Sequence, residues 1–166
     1  IAPDKTPDAD DQVLELANEN PGFSVKMLLV QKNREEAKKS LLSNFFLGKE
    51  NQNEMIPIVS YAFDTNGNIA YKTYEGEGRN AQKKVLPIVD VCEALSITHP
   101  KITLNGDNAT YTNFQEQTKT VSISALKQQI EKNRIVTKRY FLGTDGYGRD
   151  ILSRLPFGAS VSLSVG

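Results

Sequence analysis

A single cysteine, a single histidine and a formal net charge of zero remove several functions from consideration at the outset. Cys92 has no partner within the chain, so an intramolecular disulfide is excluded and neither redox compartment is ruled out. Set between Val91 and Glu93 in an apolar stretch, it reads as a small buried hydrophobe. His99 precedes Pro100 in a turn, with neither a cysteine partner nor a ligand cluster, and reads as a surface-loop residue. No convergent set of nucleophile, base and stabilising group is present, so no catalytic residue, metal or cofactor is expected. With 20 basic and 20 acidic residues, no global field favours nucleic acid. A signal peptide is also missing, and the start at Ile1 without methionine reads as a fragment or a processed product.

What is present suits one folded domain. Hydrophobic residues make up 39% and charged residues 24% of the 166 positions, which argues against wholesale disorder. The charges are unevenly placed. Asp4, Asp8, Asp10, Asp11, Glu15 and Glu19 lie near the start, and Lys127, Lys132, Arg134, Lys138 and Arg139 lie late. These read as two solvated faces, with local pairing of the two groups as the alternative.

Residues 1–12, with Pro3 and Pro7, read as a leader, expected to exit from a preceding membrane helix. Val13 to Ala17 make one or two helical turns before Asn20, Pro21 and Gly22, and Phe23 to Gln31 reads as a buried strand. Asn33 and Glu36 form a capping box for a helix over 34–47, with Ala37, Leu41, Leu42, Phe45 and Phe46 on one face. Its last turn either packs into the core or dips Phe45, Phe46 and Leu47 into a lipid interface beside Lys38, Lys39 and Lys49.

Two hairpins follow, Ile56 to Tyr74 around Asn66 and Gly67, and Lys101 to Asn113 around Asn105 and Gly106. Tyr61, Tyr71, Tyr74 and Tyr111 lie on them as cross-strand packing residues. Asn108, Ala109 and Thr110 match a glycosylation acceptor, a pattern common by chance. Val85 to Val91 reads as a strand that Pro87 limits to an edge or to a strand start. Thr120 to Ile123 adds a strand, Ser124 caps a helix to about Asn133, and Ile135 to Phe141 is a last strand or extended link. The expected fold is α+β, a mixed or largely antiparallel sheet with two short-to-medium helices over 13–141.

Residues 142–166 differ in character. From Leu155 onward no side chain is charged, yet the run is shorter than the roughly 20 residues a bilayer requires, so it reads as the start of a membrane segment. Leu142, Gly143, Thr144 and Asp145, then Gly148, Arg149 and Asp150, then Leu152, Ser153 and Arg154, and Gly158 and Ala159 leading to Ser162 through Gly166, form an ordered pattern. This pattern resembles the second-type permease subunits of dipeptide, oligopeptide and nickel ABC importers, in which it lies between the first and second membrane helices on the extracytoplasmic side. The chain departs from the family at Tyr140, Pro156 and Ser160. Neither a P-loop nor an EF-hand fits the glycines and aspartates of this stretch. Asp145 and Asp150 are placed to accept hydrogen bonds from amides at a helix start, while Ile151, Leu152 and Leu155 form a short apolar face suited to a membrane interface.

The resemblance implies a soluble domain inserted between membrane helices, on the periplasmic side of a bacterial inner membrane. Its implied partners are a second permease subunit, a pair of ATPase subunits acting through the full-length protein, and an extracytoplasmic substrate-binding protein. Peptide uptake is the implied process. A free-standing extracellular binding module is the alternative, and a small secreted hydrolase comes third.

Overall fold

The computed structural model describes residues 12–32, 53–99 and 101–155. The proposed helix over 34–47, with Phe45, Phe46 and Leu47, lies outside them, as do most of the leader, Pro156, Gly158 and Ser160.

Two antiparallel sheets carry the fold, which is α+β as the sequence leads one to expect. Strands β1 (Phe23–Gln31), β2 (Asn53–Phe63), β3 (Asn68–Thr73), β4 (Lys83–Pro87) and β8 (Ile135–Tyr140) pair in the order β4-β3-β2-β1-β8. A smaller sheet holds β5 (Ile102–Asn105), β6 (Asn108–Thr112) and β7 (Thr118–Ser122) in sequential order. Two helices are short, α1 (Ile88–Cys92) and α2 (Ile123–Gln129), and α2 runs into a π-helical turn over Ile130–Arg134. No helix among the described residues is long and apolar enough to cross a membrane.

Side chains alternate across a strand, so β1 serves two cores at once. Leu28 and Val30 face the main core, where Ile58, Ile69 and Tyr71 meet α1, Tyr111 of β6, and Ile123, Leu126 and Ile130. Val25 and Met27 belong to a second core with Val13, Leu16 and Tyr140, against which Phe23 and Tyr74 pack. Both faces of β1 are therefore covered, which explains the near-continuous apolar run from Met27 to Val30.

Both sequence-predicted hairpins form, with Gly67 at φ +71° and Gly106 at φ +60° supplying the left-handed backbone that each turn requires. Asp64 Oδ1 accepts from the amides of Asn66 and Asn68, each at 2.8 Å, and locks the first turn. The hairpin tyrosines pack as expected: Tyr61 stands opposite Tyr71, and Tyr71 and Tyr111 are buried.

Two expectations are corrected. Val85 to Val91 is not one strand: β4 ends at Pro87, and Ile88 through Cys92 form a helical turn with Ile88, Val89, Val91 and Cys92 all buried. Pro87 has no amide to continue the ladder, and burial of four apolar groups overrides their β preference. The cap of α2 is Ser122 rather than Ser124, its hydroxyl accepting from Ala125 N at 3.2 Å. The Ser124 amide is instead taken by Asp107 Oδ1 at 3.1 Å, which lets the helix begin two residues sooner. The largely antiparallel pairing expected from the sequence is present, divided between the two sheets.

Candidate functional site

Residues 142–155 form a compact loop followed by a helical stretch at 151–155. Asp145 organises the loop. Its Oδ1 accepts from the amides of Tyr147 at 2.9 Å and Arg149 at 3.0 Å, while Oδ2 receives Arg149 Nε and a guanidinium nitrogen of Arg154, both at 2.9 Å. Burial raises the Asp145 pKa, but the amides of Arg149 and Tyr147 and the Arg149 guanidinium outweigh it, leaving the carboxyl below its ordinary 3.8. Thr144 and Asp150 form an antiparallel bridge.

Asp150 caps the helical stretch as the sequence leads one to expect. Its Oδ1 accepts from Leu152 N at 3.1 Å and its Oδ2 from the Ser153 hydroxyl at 2.9 Å. The expectation for Asp145 holds in part: it accepts backbone amides, but within the loop before the helix rather than at the helix start.

The loop is docked on residues 13–21 from the other end of the chain. The Thr144 amide donates to Glu19 O at 3.1 Å, the Glu19 amide donates to the Thr144 hydroxyl at 2.8 Å, and that hydroxyl donates to Leu16 O. Asn18 N adds a bond to Asp145 O at 3.0 Å. Two glycines make this approach feasible. A Cβ on Gly148 would overlap the Val13 carbonyl, and one on Gly143 would overlap the backbone of Glu19 to Pro21. Both glycines also have positive φ, +71° and +77°.

Of the motif residues, Gly143, Thr144 and Gly148 are buried, and Asp145, Arg149, Asp150, Ser153 and Arg154 are partly buried around them. Leu142, Leu152 and Leu155 are exposed, and Ile151 is half-buried. Tyr140, a departure from the family pattern, is buried in the second core and stacks on Phe23 at 6.3 Å between ring centroids. Its carbonyl accepts from Gly22 N and Gly143 N, so it joins β8 to both segments of the docked unit. Burial, followed by the nearby Asp150 charge, raises its phenol pKa.

No local pattern marks 13–21 as part of this site, because the two segments lie 125 residues apart at Glu19 and Thr144. A groove of about 360 Å³ opens beside 13–15, lined in part by Leu14, Glu15, Met55, Pro57, Tyr74 and Lys84. The Tyr74 hydroxyl donates to Glu19 Oε1 at 2.6 Å; burial and this carboxylate raise its pKa to about 12.

Elsewhere, Cys92 is buried and its thiol is pushed up to about 11, mainly by desolvation. His99 is exposed, with Nδ1 3.4 Å from Glu116 Oε2. Among the described residues, no group of three or more histidine, cysteine, aspartate or glutamate side chains is placed to hold a metal ion. Of the unevenly placed charges, Asp4, Asp8, Asp10 and Asp11 lie outside the described residues; Glu19 meets Tyr74, Arg134 bonds Gln31, Asn53 and the Cys92 carbonyl, and Lys127 donates to the Asp64 carbonyl. No family model matches the chain, and neither a curated protein nor a solved structure matches it.

Proposed function

We propose that this chain is the extracytoplasmic loop domain of a permease subunit in a peptide-type ABC importer. One observation supports this above others. The motif at 142–155, which resembles the family segment preceding the second membrane helix, folds back onto residues 13–21, so the two ends of the domain lie side by side. A domain inserted between consecutive membrane helices needs adjacent ends of this kind.

In such a subunit the domain faces the side from which solute is delivered, where it docks the substrate-binding protein or braces the second permease. ATP hydrolysis belongs to the paired cytoplasmic ATPases. Gene sequence on either side of the chain is the first test: encoded membrane helices on both sides are expected, and a stop codon directly after Gly166 overturns the proposal. In the full-length protein, removing residues 20–135 should impair uptake while the permease stays in the membrane. Unchanged transport together with unchanged affinity for the binding protein would sink the docking role.

The groove beside Leu14 and Tyr74 favours a second proposal, a free-standing extracellular binding module. That proposal requires no neighbouring membrane helices, so the same gene sequence separates the two.

A further inference from the structure

We infer that Asn105 is a site of spontaneous covalent modification: it loses its side-chain amide through a cyclic imide with Gly106, whereas the fold protects Asn66 in the same dipeptide. Asn-Gly occurs at 66–67 and at 105–106, and Asp-Gly at 145–146. Glycine at the second position leaves its amide nitrogen unhindered, because no Cβ stands beside it. All three dipeptides permit ring closure in a free chain, and their surroundings separate them.

The Gly106 amide nitrogen attacks Asn105 Cγ and forms the N–Cγ bond. The Cγ–Nδ2 bond then breaks, and that nitrogen leaves as ammonia with the proton Gly106 gave up. Water next opens the imide, its hydroxyl joining either carbonyl carbon and its hydrogen returning to the glycine nitrogen. Opening at the side-chain carbonyl leaves aspartate. Opening at the main-chain carbonyl leaves isoaspartate, whose backbone runs through the side chain.

Ring closure requires the peptide after the asparagine to rotate toward Cγ. At Asn66 that peptide is held on both sides. Asp64 accepts from the amides of Asn66 and Asn68, each at 2.8 Å, and from the Asn68 side chain at 2.9 Å. Gly67 is buried, its carbonyl accepts from Ile88 N at 2.9 Å, and a Cβ there would lie 3.3 Å from Leu104 and 3.4 Å from Ile123. Rotation would pull Gly67 from these neighbours.

Asn105 and Gly106 are both exposed, and a Cβ on Gly106 meets nothing within 4 Å. Asn105 pairs with Asn108 at the last position of the β5–β6 ladder, where opening is easiest. Asp107 is fixed, its carbonyl accepting from Ile123 N at 2.7 Å and its carboxylate from the Ser122 hydroxyl and the Ser124 amide. Gly106 lies between and takes up the rotation without disturbing these bonds. At Asp145 the carboxylate is held by the amides of Tyr147 and Arg149 and by two guanidinium groups, and an ionised carboxylate oxygen is a poor leaving group.

Isoaspartate at 105 lengthens the main chain by one carbon opposite Asn108, which breaks the register at that end of β5. The neighbouring Leu104 is the side chain that closes over Gly67, so the change reaches the first hairpin. Either product also adds a negative charge two residues from Asp107.

The test incubates residues 1–166 at mildly alkaline pH and follows each site by peptide mapping, with electron-transfer fragmentation to distinguish isoaspartate from aspartate. Asn105 should convert at least about tenfold faster than Asn66, which must first open locally. In denaturing urea the two rates should converge, since both asparagines precede glycine. Asn105→Gln should remove the fast phase. Asp64→Ala frees the first turn and should raise the rate at Asn66 about tenfold, with circular dichroism checking that the variant folds. Equal rates at Asn66 and Asn105 in the folded chain overturn the inference. So does an Asn105 that stays intact while the urea-unfolded chain converts, and so does a rate difference that persists in urea, since the fold is then not its cause.

Discussion

Thr144 and Glu19 bond each other twice, amide to carbonyl at 3.1 Å in one direction and amide to side-chain hydroxyl at 2.8 Å in the other. The same hydroxyl donates to Leu16 O, and Thr144 is buried. One small side chain thus satisfies backbone groups on a segment more than a hundred residues away, where an unmet donor or acceptor would be costly.

Thr144→Val keeps the shape and removes the hydroxyl, leaving the Glu19 amide and the Leu16 carbonyl without this partner. A loss of about 2 kcal/mol in urea unfolding is expected. Thr144→Ser, which retains the hydroxyl, should recover most of it. Equal stability of the valine variant and the parent chain would show that the bonds of the Thr144 hydroxyl to Glu19 and Leu16 contribute nothing.

Gly148 and Gly22 separate backbone conformation from close packing. Both have positive φ, but a Cβ on Gly22 meets nothing within 4 Å while one on Gly148 overlaps the Val13 carbonyl. Gly22→Ala should cost about 1 kcal/mol from backbone strain alone. Gly148→Ala should cost about 3 kcal/mol or more, since either the loop or residues 13–16 must move. Denaturant midpoints measured side by side test the order, and a larger loss at Gly22 contradicts the docked arrangement.

The Asp145 carboxyl has a folded pKa depressed below its ordinary 3.8. Its contribution to stability is therefore fully present above 3.8 and is lost as pH falls from 3.8 through the folded value. Asp145→Asn should lower stability at neutral pH and flatten this acid limb. Thermal melts across the acid range check it, and an unchanged limb in the variant assigns the acid loss to other carboxylates.

Cys92 should resist alkylation while the chain is folded. Its thiol is buried and pushed up to about 11, so both access and thiolate population are low at mildly alkaline pH. Labelling should proceed through unfolding and accelerate with sub-denaturing urea. Rapid stoichiometric labelling in buffer would place the thiol at the surface instead.

Local chemistry made much of the fold legible. Asn66 with Gly67 and Asn105 with Gly106 permit few backbone geometries, and both hairpins form there. The strand from Phe23 to Gln31 and the presence of a helix carrying Leu126 and Ile130 were readable from apolar pattern, though its cap was placed two residues late, at Ser124. Val85 to Val91 misled because β-branched residues favour strands, while the packing of α1 against the main core is a non-local effect. At the site, the role of Asp150 in accepting amides at a helix start was legible from its place ahead of Ile151 and Leu152. Asp145 did not announce that it would gather Arg149 and Arg154.

The sequence by itself determined the turns, the class of the fold and the run of motif residues from Leu142 to Arg154, because each depends on neighbours within a few positions. The tertiary structure alone decided that Gly143, Thr144 and Gly148 would close on Val13 to Pro21. Both segments flank the paired strands β1 and β8, which join the beginning and the end of the described fold. The distant backbone groups lie within hydrogen-bond range because those strands pair, and no local propensity encodes that pairing.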